Sequence, residues 1–295
     1  MRPFAYQAPT SIDEAVTLLA DQAGKARPFA GGTDLLVQLR LDLFEPDLVV
    51  DIKRIPELNQ LSFDPAEGLI VGAAVSCAAL CEQPDVVATY PGLVDATAII
   101  GGIGIQGRAT LGGNLCNAAP SGDGIPAMIV LGATCTVAGP GGKRTVPVEA
   151  FCTGPGQTVL SQDEILVSIH VPPPKPHSGA HYLRFTPRRE MDIAVAGAGA
   201  SMVLSDDHAQ IIEARIALGA VAPTPLLVEE AGAVLIGQAP TDEAFAEAAK
   251  LAQAAARPIT DVRGTVAQRR HLVGVLVKRA LQGALRRAKG ESIHD

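Results

Sequence analysis

The sequence predicts an α+β protein in three consecutive regions, which the patterns place at 3–60, 61–175 and 180–295. Three observations carry this. Strand-like and helix-like segments alternate through the first region. Short apolar strand runs flank a glycine-dense stretch in the second. A hairpin pattern followed by two helical patterns closes the third.

The elements follow in order. Ser11 and Glu14 have capping-box spacing, Ala15, Leu18 and Leu19 supply an apolar helical face, and Gly24 ends that helix. Residues 26–29 read as extended, 35–41 as a second helix and 48–51 as a strand, so a small parallel sheet is expected. In the second region 69–72 reads as a strand and 77–100 as an Ala-rich helical stretch. Residues 127–137 form a buried apolar run, and Pro140-Gly141-Gly142 is a turn. A strand at 165–171 stops at the linker-like Pro172-Pro173-Pro174. In the third region 198–204 and 211–218 flank Ser205-Asp206-Asp207-His208 as a hairpin, and 242–256 is a helix halted before Pro258. From 269 to 289, apolar residues at 272, 273, 276, 277, 280, 281, 284 and 285 make a stripe of helical period.

Composition excludes several functions. With 47% hydrophobic and 19% charged residues, the chain can bury a core and is not a disordered tail. A net charge of −7 leaves no electrostatic footprint for nucleic acid, and an aromatic content of 3% leaves no stacking surface. No unbroken apolar run is long enough for a transmembrane helix, and the first ten residues lack the apolar core of a secretion signal. Cytoplasmic residence is the expectation. Cys77, Cys81, Cys116, Cys135 and Cys152 are an odd, scattered set that reads as buried free thiols. The six histidines show no metal spacing, so no metal is expected on this chain.

The 30 glycines carry the functional question. Gly102-Ile103-Gly104-Ile105-Gln106-Gly107 matches G-x-G-x-x-G, but helix-like residues precede it. Gly112-Gly113-Asn114 downstream would open no good helix, so the dinucleotide fingerprint reads as a decoy. More informative are Ala30-Gly31-Gly32-Thr33-Asp34-Leu35-Leu36 and Ala109-Thr110-Leu111-Gly112-Gly113-Asn114. Each sets a Gly-Gly beside a hydroxyl and an amide or carboxylate, where backbone N–H groups can converge on an anion without a Cβ in the way. By spacing alone, two phosphate-gripping loops and two plain tight turns both remain open.

These motifs, in this order after Tyr6-Gln7-Ala8-Pro9, resemble the medium subunits of molybdenum hydroxylases, the carbon monoxide dehydrogenase and xanthine dehydrogenase family. The likeness continues through Ser121-Gly122-Asp123, Asp163-Glu164-Ile165-Leu166 and Tyr182-x-Arg184-x3-Arg188-Arg189-x2-Asp192-Ile193-Ala194, and spans essentially the whole chain. It implies a two-lobed FAD-binding domain of the vanillyl-alcohol-oxidase-like (PCMH) type, lobes 1–58 and 59–176. A C-terminal domain of antiparallel sheet plus helices, 177–295, would follow.

The resemblance implies FAD contacts at Ala30, Gly31, Gly32, Thr33, Asp34, Leu35 and Leu36, and at Ala109, Thr110, Leu111, Gly112, Gly113 and Asn114. It adds Ile100 as an apolar flank, Asp123 near the ribitol, Leu166 as a backbone contact, and Tyr182 and Arg184 at the flavin. Arg184 stands where family members often carry Lys; the alternative is a solvated surface charge. Arg188, Arg189 and Asp192 either form a charge cluster near the flavin or pin their loop, and pinning is the expectation. The cations of the last helix, Arg269, Arg270, Lys278, Arg279, Arg286 and Arg287, are expected on a solvated face, with a subunit contact as the alternative.

The implied role is electron transfer with no catalytic acid, base or nucleophile of its own. A large molybdopterin subunit and a small subunit with [2Fe–2S] clusters would be partners, in a dimer of heterotrimers. FAD on this chain would pass electrons to an external acceptor. Competing readings are a stand-alone FAD-dependent reductase or oxidase on the same scaffold, and an assembly protein without cofactor. Intact Gly-Gly loops argue against the latter.

Overall fold

The structure is a computed structural model and describes residues 2–22, 24–188 and 190–293. The first region forms β1 (Ala5–Gln7), α1 (Ile12–Asp21), β2 (Ala26–Phe29), α2 (Leu35–Arg40) and β3 (Leu48–Asp51). Its sheet has the order β1-β3-β2 and is parallel throughout, as the short strand–helix–strand spacing requires. Ser11 Oγ accepts the Glu14 N–H at 3.2 Å, capping α1. The Glu14 carboxylate reaches the N–H of Thr10 at 2.9 Å, one residue before the usual capping-box partner.

The middle region carries β4 (Leu61–Asp64), β5 (Gly68–Gly72), β6 (Thr134–Gly139), β7 (Gly142–Pro147), the short pair β8 (Cys152–Gly154) and β9 (Gln157–Thr158), and β10 (Ile165–Val171). Its main sheet, β4-β5-β10-β6-β7, is antiparallel. The expected Ala-rich helical stretch divides into α3 (Cys77–Glu82), α4 (Pro84–Thr89) and α5 (Pro91–Thr97). Pro84 and Pro91 begin α4 and α5: proline suits a first helical position but has no N–H to continue the preceding helix. Then come α6 (Ile103–Gln106), α7 (Leu111–Asn117) and α8 (Gly124–Val130). The apolar run at 127–137 is thus half helix and half strand, with Gly132 making the turn at φ +68°. The first two regions share one buried cluster, from Ile12 and Val50 through Leu111 to Ile169.

The third region is an antiparallel sheet, β11 (Ser178–Phe185), β12 (Ala196–Leu204), β13 (Ile211–Gly219) and β14 (Leu226–Leu227). It has a separate core. α9 (Glu229–Ala233) and α10 (Asp242–Ala255) precede α11 (Val266–Ala288), whose stripe from Val273 to Ala284 is buried against the sheet. α8 contacts β12 and β13 from the middle region.

The solvated-face expectation for α11 fails at two cations. Arg269 is 4% exposed and donates to the carbonyls of Val195 (2.7 Å) and Ala220 (3.1 Å) and to Asp261 (2.7 Å). Carbonyls where strands end have lost ladder partners, and a guanidinium supplies several donors at once. Arg287 is also withdrawn from water, paired with Asp95. Arg270, Arg279 and Arg286 are exposed as expected.

Candidate functional site

The two Gly-Gly loops meet. Gly31 lies so close to the Arg108 carbonyl and the Ala109 backbone that a Cβ there would collide with them. Gly32, at φ +76°, turns the chain where a side chain would strike the Phe29 ring. From below, Lys53 Nζ donates to the Ala30 carbonyl at 3.1 Å and to Asp51 at 2.8 Å, and lies 3.9 Å from the Phe29 ring centre. Behind the loops, the Gln38 amide of α2 donates to Asn117 of α7 at 3.0 Å.

Contrary to the sequence expectation, Leu111-Gly112-Gly113-Asn114 does open a helix. Thr110 Oγ1 caps α7 by accepting the Gly113 N–H at 2.8 Å. Packing overrides the poor helical propensity of glycine: a Cβ on Gly112 would sit 2.7 Å from the Ala73 backbone, so only glycine lets α7 lie this close to the end of β5. A Cβ on Gly113 would meet only Thr110 Oγ1, at 2.9 Å. Three of the four paired glycines therefore answer to packing against other segments or to backbone conformation; Gly113 meets only the Thr110 hydroxyl of its own cap. The G-x-G-x-x-G segment follows helix α5 rather than a strand, and Gly104 and Gly107 face open space.

The second loop joins a buried charge cluster. Asn114 Oδ1 accepts the Gly124 N–H at 3.1 Å, and Leu111 and Ile100 approach that same glycine. The residue before Gly124 is Asp123, whose carboxylate accepts from Tyr182 Oη at 2.8 Å and from Arg184 at 2.5 Å. Tyr182 and Arg184 stand two residues apart on one face of β11, opposite Gly199 and Gly197. Gly197 leaves room for the Tyr182 ring tip, and Gly199 lies under the Pro126 carbonyl of α8. These glycines let α8 press onto the sheet and deliver Asp123. The Arg184 side chain is 7% exposed, so the solvated-charge alternative is wrong. Burial pushes the Asp123 carboxyl up to about 6 against the opposing pull of Arg184 and Tyr182, and burial likewise raises Tyr182.

Other candidates stand apart. Leu166 is buried inside β10, so only its backbone is available to a ligand. Leu36 and Asp34 are exposed, and Asp34 gives α2 no side-chain cap. Arg188 binds Asp192 through its backbone N–H at 3.1 Å and its Nε at 3.4 Å, which pins the loop; Arg189 lies outside the described residues. The cysteines are free thiols, and burial raises Cys77 to about 12 and Cys81 to about 11. Sequence reasoning missed Lys53, Gln38 and Asn117. No local pattern marks them, because their partners come from distant segments.

Two glycine loops thus face one another, and the second is tied through Asn114 and Gly124 to a buried acid–arginine–tyrosine cluster on the sheet-plus-helix domain. A family profile described as the FAD binding domain in molybdopterin dehydrogenase matches residues 2–174, and the CO dehydrogenase flavoprotein C-terminal domain matches 181–284. The chain belongs to this molybdopterin dehydrogenase FAD-binding family.

The carbon monoxide dehydrogenase medium chain of Hydrogenophaga pseudoflava is 36% identical, over 95% of this chain and 96% of that protein. The xanthine dehydrogenase FAD-binding subunit of Escherichia coli O157:H7 is 34% identical, over 97% and 98%. Among solved structures, the carbon monoxide dehydrogenase of Hydrogenophaga pseudoflava lacking the Mo-pyranopterin moiety superposes with a TM-score of 0.92 at 36% identity, covering 97% of this chain and 99% of that one. Quinoline 2-oxidoreductase from Pseudomonas putida 86 gives 0.90 at 31% identity, covering 97% and 98%.

The residues present fit FAD. Gly113, which no segment outside its own cap approaches, and the glycine-lined meeting of the two loops leave backbone accessible, as a pyrophosphate requires.

Proposed function

We propose that this chain is the FAD-binding electron-transfer subunit of a molybdopterin-dependent dehydrogenase. The observation that carries the reading is the convergence of the two Gly-Gly loops through Gly31 and Arg108, in a chain matched end to end by medium subunits of such enzymes. FAD, when bound, would supply the step between one-electron donors and a two-electron acceptor.

The remaining work is done by the chain's own residues. Ala30, Gly31, Gly32, Thr33, Asp34, Leu35 and Leu36 would form one wall of the pyrophosphate site, and Ala109, Thr110, Leu111, Gly112, Gly113 and Asn114 the other. Ile100 and the Leu166 backbone would flank them, and Asp123, Tyr182 and Arg184 would face the flavin side. Arg184 does not present a bare cation, because Asp123 neutralises it. The pair therefore offers an oriented dipole whose net charge depends on the protonation of Asp123. No side chain here is assigned as acid, base or nucleophile toward an organic substrate.

On this reading the partners are a large molybdopterin subunit and a small [2Fe–2S] subunit, assembled as a dimer of heterotrimers in the cytoplasm. The chain divides functionally into lobes 1–58 and 59–176 and a C-terminal domain, 177–295. No helix among the described residues is long and apolar enough to cross a membrane. The test is to express the full chain and titrate it with FAD, following flavin fluorescence quenching. Stoichiometric uptake is expected; absence of both bound flavin and uptake overturns the proposal.

A further inference from the structure

The site has a rear support that the flavin reading does not use. β11 is the edge strand of its sheet, so every second N–H and C=O on its outer side lacks a ladder partner. Two of these groups are taken up by side chains that lie far apart in the sequence and meet here. Asp95 of α5 accepts the Tyr182 N–H at 3.2 Å, and Arg287 of α11 donates to the Ala180 carbonyl at 2.7 Å. The same two side chains grip each other in a two-pronged pair, at 2.5 Å and 2.8 Å. His181 Nδ1 lies 2.7 Å from the Asp95 carboxylate.

Small residues make this convergence possible. A Cβ on Gly92 of α5 would crowd the Ala180 backbone at 2.8 Å, and a Cβ on Gly283 of α11 would strike the His181 ring. The clamp is withdrawn from water: the side chains of Arg287, His181 and Asp95 are 9%, 4% and 19% exposed. Burial alone would raise the Asp95 carboxyl, but the Arg287 and His181 contacts outweigh it and hold Asp95 below its ordinary value.

The clamp fixes the backbone of the residue whose hydroxyl holds Asp123. Tyr182 takes Asp95 through its N–H and Asp123 through its Oη, and Arg184, two residues on, takes Asp123 again. We propose that Asp95, locked by Arg287, is a positioning residue that sets from the outer edge of β11 where Tyr182 and Arg184 meet Asp123, and so tunes the flavin pocket without touching the cofactor. The inference rests on the FAD reading above.

The experiment uses the full chain and three variants, D95N, R287K and E149Q. Glu149 pairs with Arg215 and also ties the middle region to the third-region sheet, but away from β11. E149Q therefore reports what loss of an ordinary inter-region tie does. For each protein, the FAD dissociation constant and flavin midpoint potential are measured beside the melting temperature of the FAD-free chain. D95N is expected to weaken FAD binding on the order of tenfold and to shift the midpoint potential. R287K should act in the same direction, and E149Q should lower only the melting temperature. If D95N and R287K lower the melting temperature yet keep wild-type FAD affinity and potential, the clamp is merely structural and the proposal is overturned. Should D95N not fold, R287K decides alone. Failure of the wild-type chain to take up FAD would instead sink the underlying reading.

Discussion

At the scale of single residues, the four paired glycines are not equivalent. Gly112 is closed against Ala73, so Gly112→Ala forces overlap and is expected to destabilise the chain by about 1–3 kcal/mol, read from urea denaturation. A Cβ on Gly113 would meet only the Thr110 hydroxyl, so Gly113→Val is expected to loosen the α7 cap as well as to lower FAD affinity; unchanged flavin titration would refute the pyrophosphate cradle. Asp123 makes a second prediction. Its carboxyl, raised by burial to about 6 in the folded chain, binds a proton there that the unfolded chain has already released. Its contribution to stability is complete below the ordinary carboxylate pKa and is lost as pH rises toward about 6. The stability of wild type minus that of Asp123→Asn should therefore fall across roughly pH 4 to 6, by about 3 kcal/mol at most. A difference that stays flat or rises would contradict it.

At the scale of elements, the legible parts were those whose signals are local. The cap of α1 at Ser11, a small parallel sheet in the first region, the hairpin of β12 and β13 and the stripe of α11 can be read from spacing, because period and capping act within a few residues. The stretch 77–100 is helical as its alanines suggest, and Pro84 and Pro91 divide it into three helices. α7 was missed because its stability comes from Thr110 and from close packing on Ala73 rather than from propensity. The cations of α11 illustrate the same limit: Arg269 looks like any helical surface charge until Val195 and Ala220, far away in sequence, bring their carbonyls to it. Arg269→Met should cost about 2–4 kcal/mol by stranding those carbonyls and Asp261, seen as a lower denaturation midpoint with an unchanged slope. A loss below about 0.5 kcal/mol would return Arg269 to the solvated class.

At the scale of the whole molecule, cofactor and fold should stabilise each other. The proposed FAD site draws on all three regions, since loop one, loop two and the β11 pair belong to different ones. FAD at about a hundred times its dissociation constant should add about 2.7 kcal/mol to unfolding, visible as a rise in melting temperature. The same FAD should reduce amide exchange in β11 as well as in the two loops. Protection confined to the loops would remove β11 from the site.

The sequence by itself determined the α+β class, the order of the strands and helices with strong local periodicity, and the two glycine loops as the places to look. It also carried the family, because a set of weak motifs in a fixed order is specific when each one is not. Only the tertiary structure decided that Gly31 faces Arg108, that Asp123 neutralises Arg184, and that Asp95 and Arg287 close behind Tyr182. The physical reason is range. Caps, turns and periodicity are written over a few neighbouring residues, whereas a buried charge is specified by a partner up to 192 positions away, as for Arg287 and Asp95.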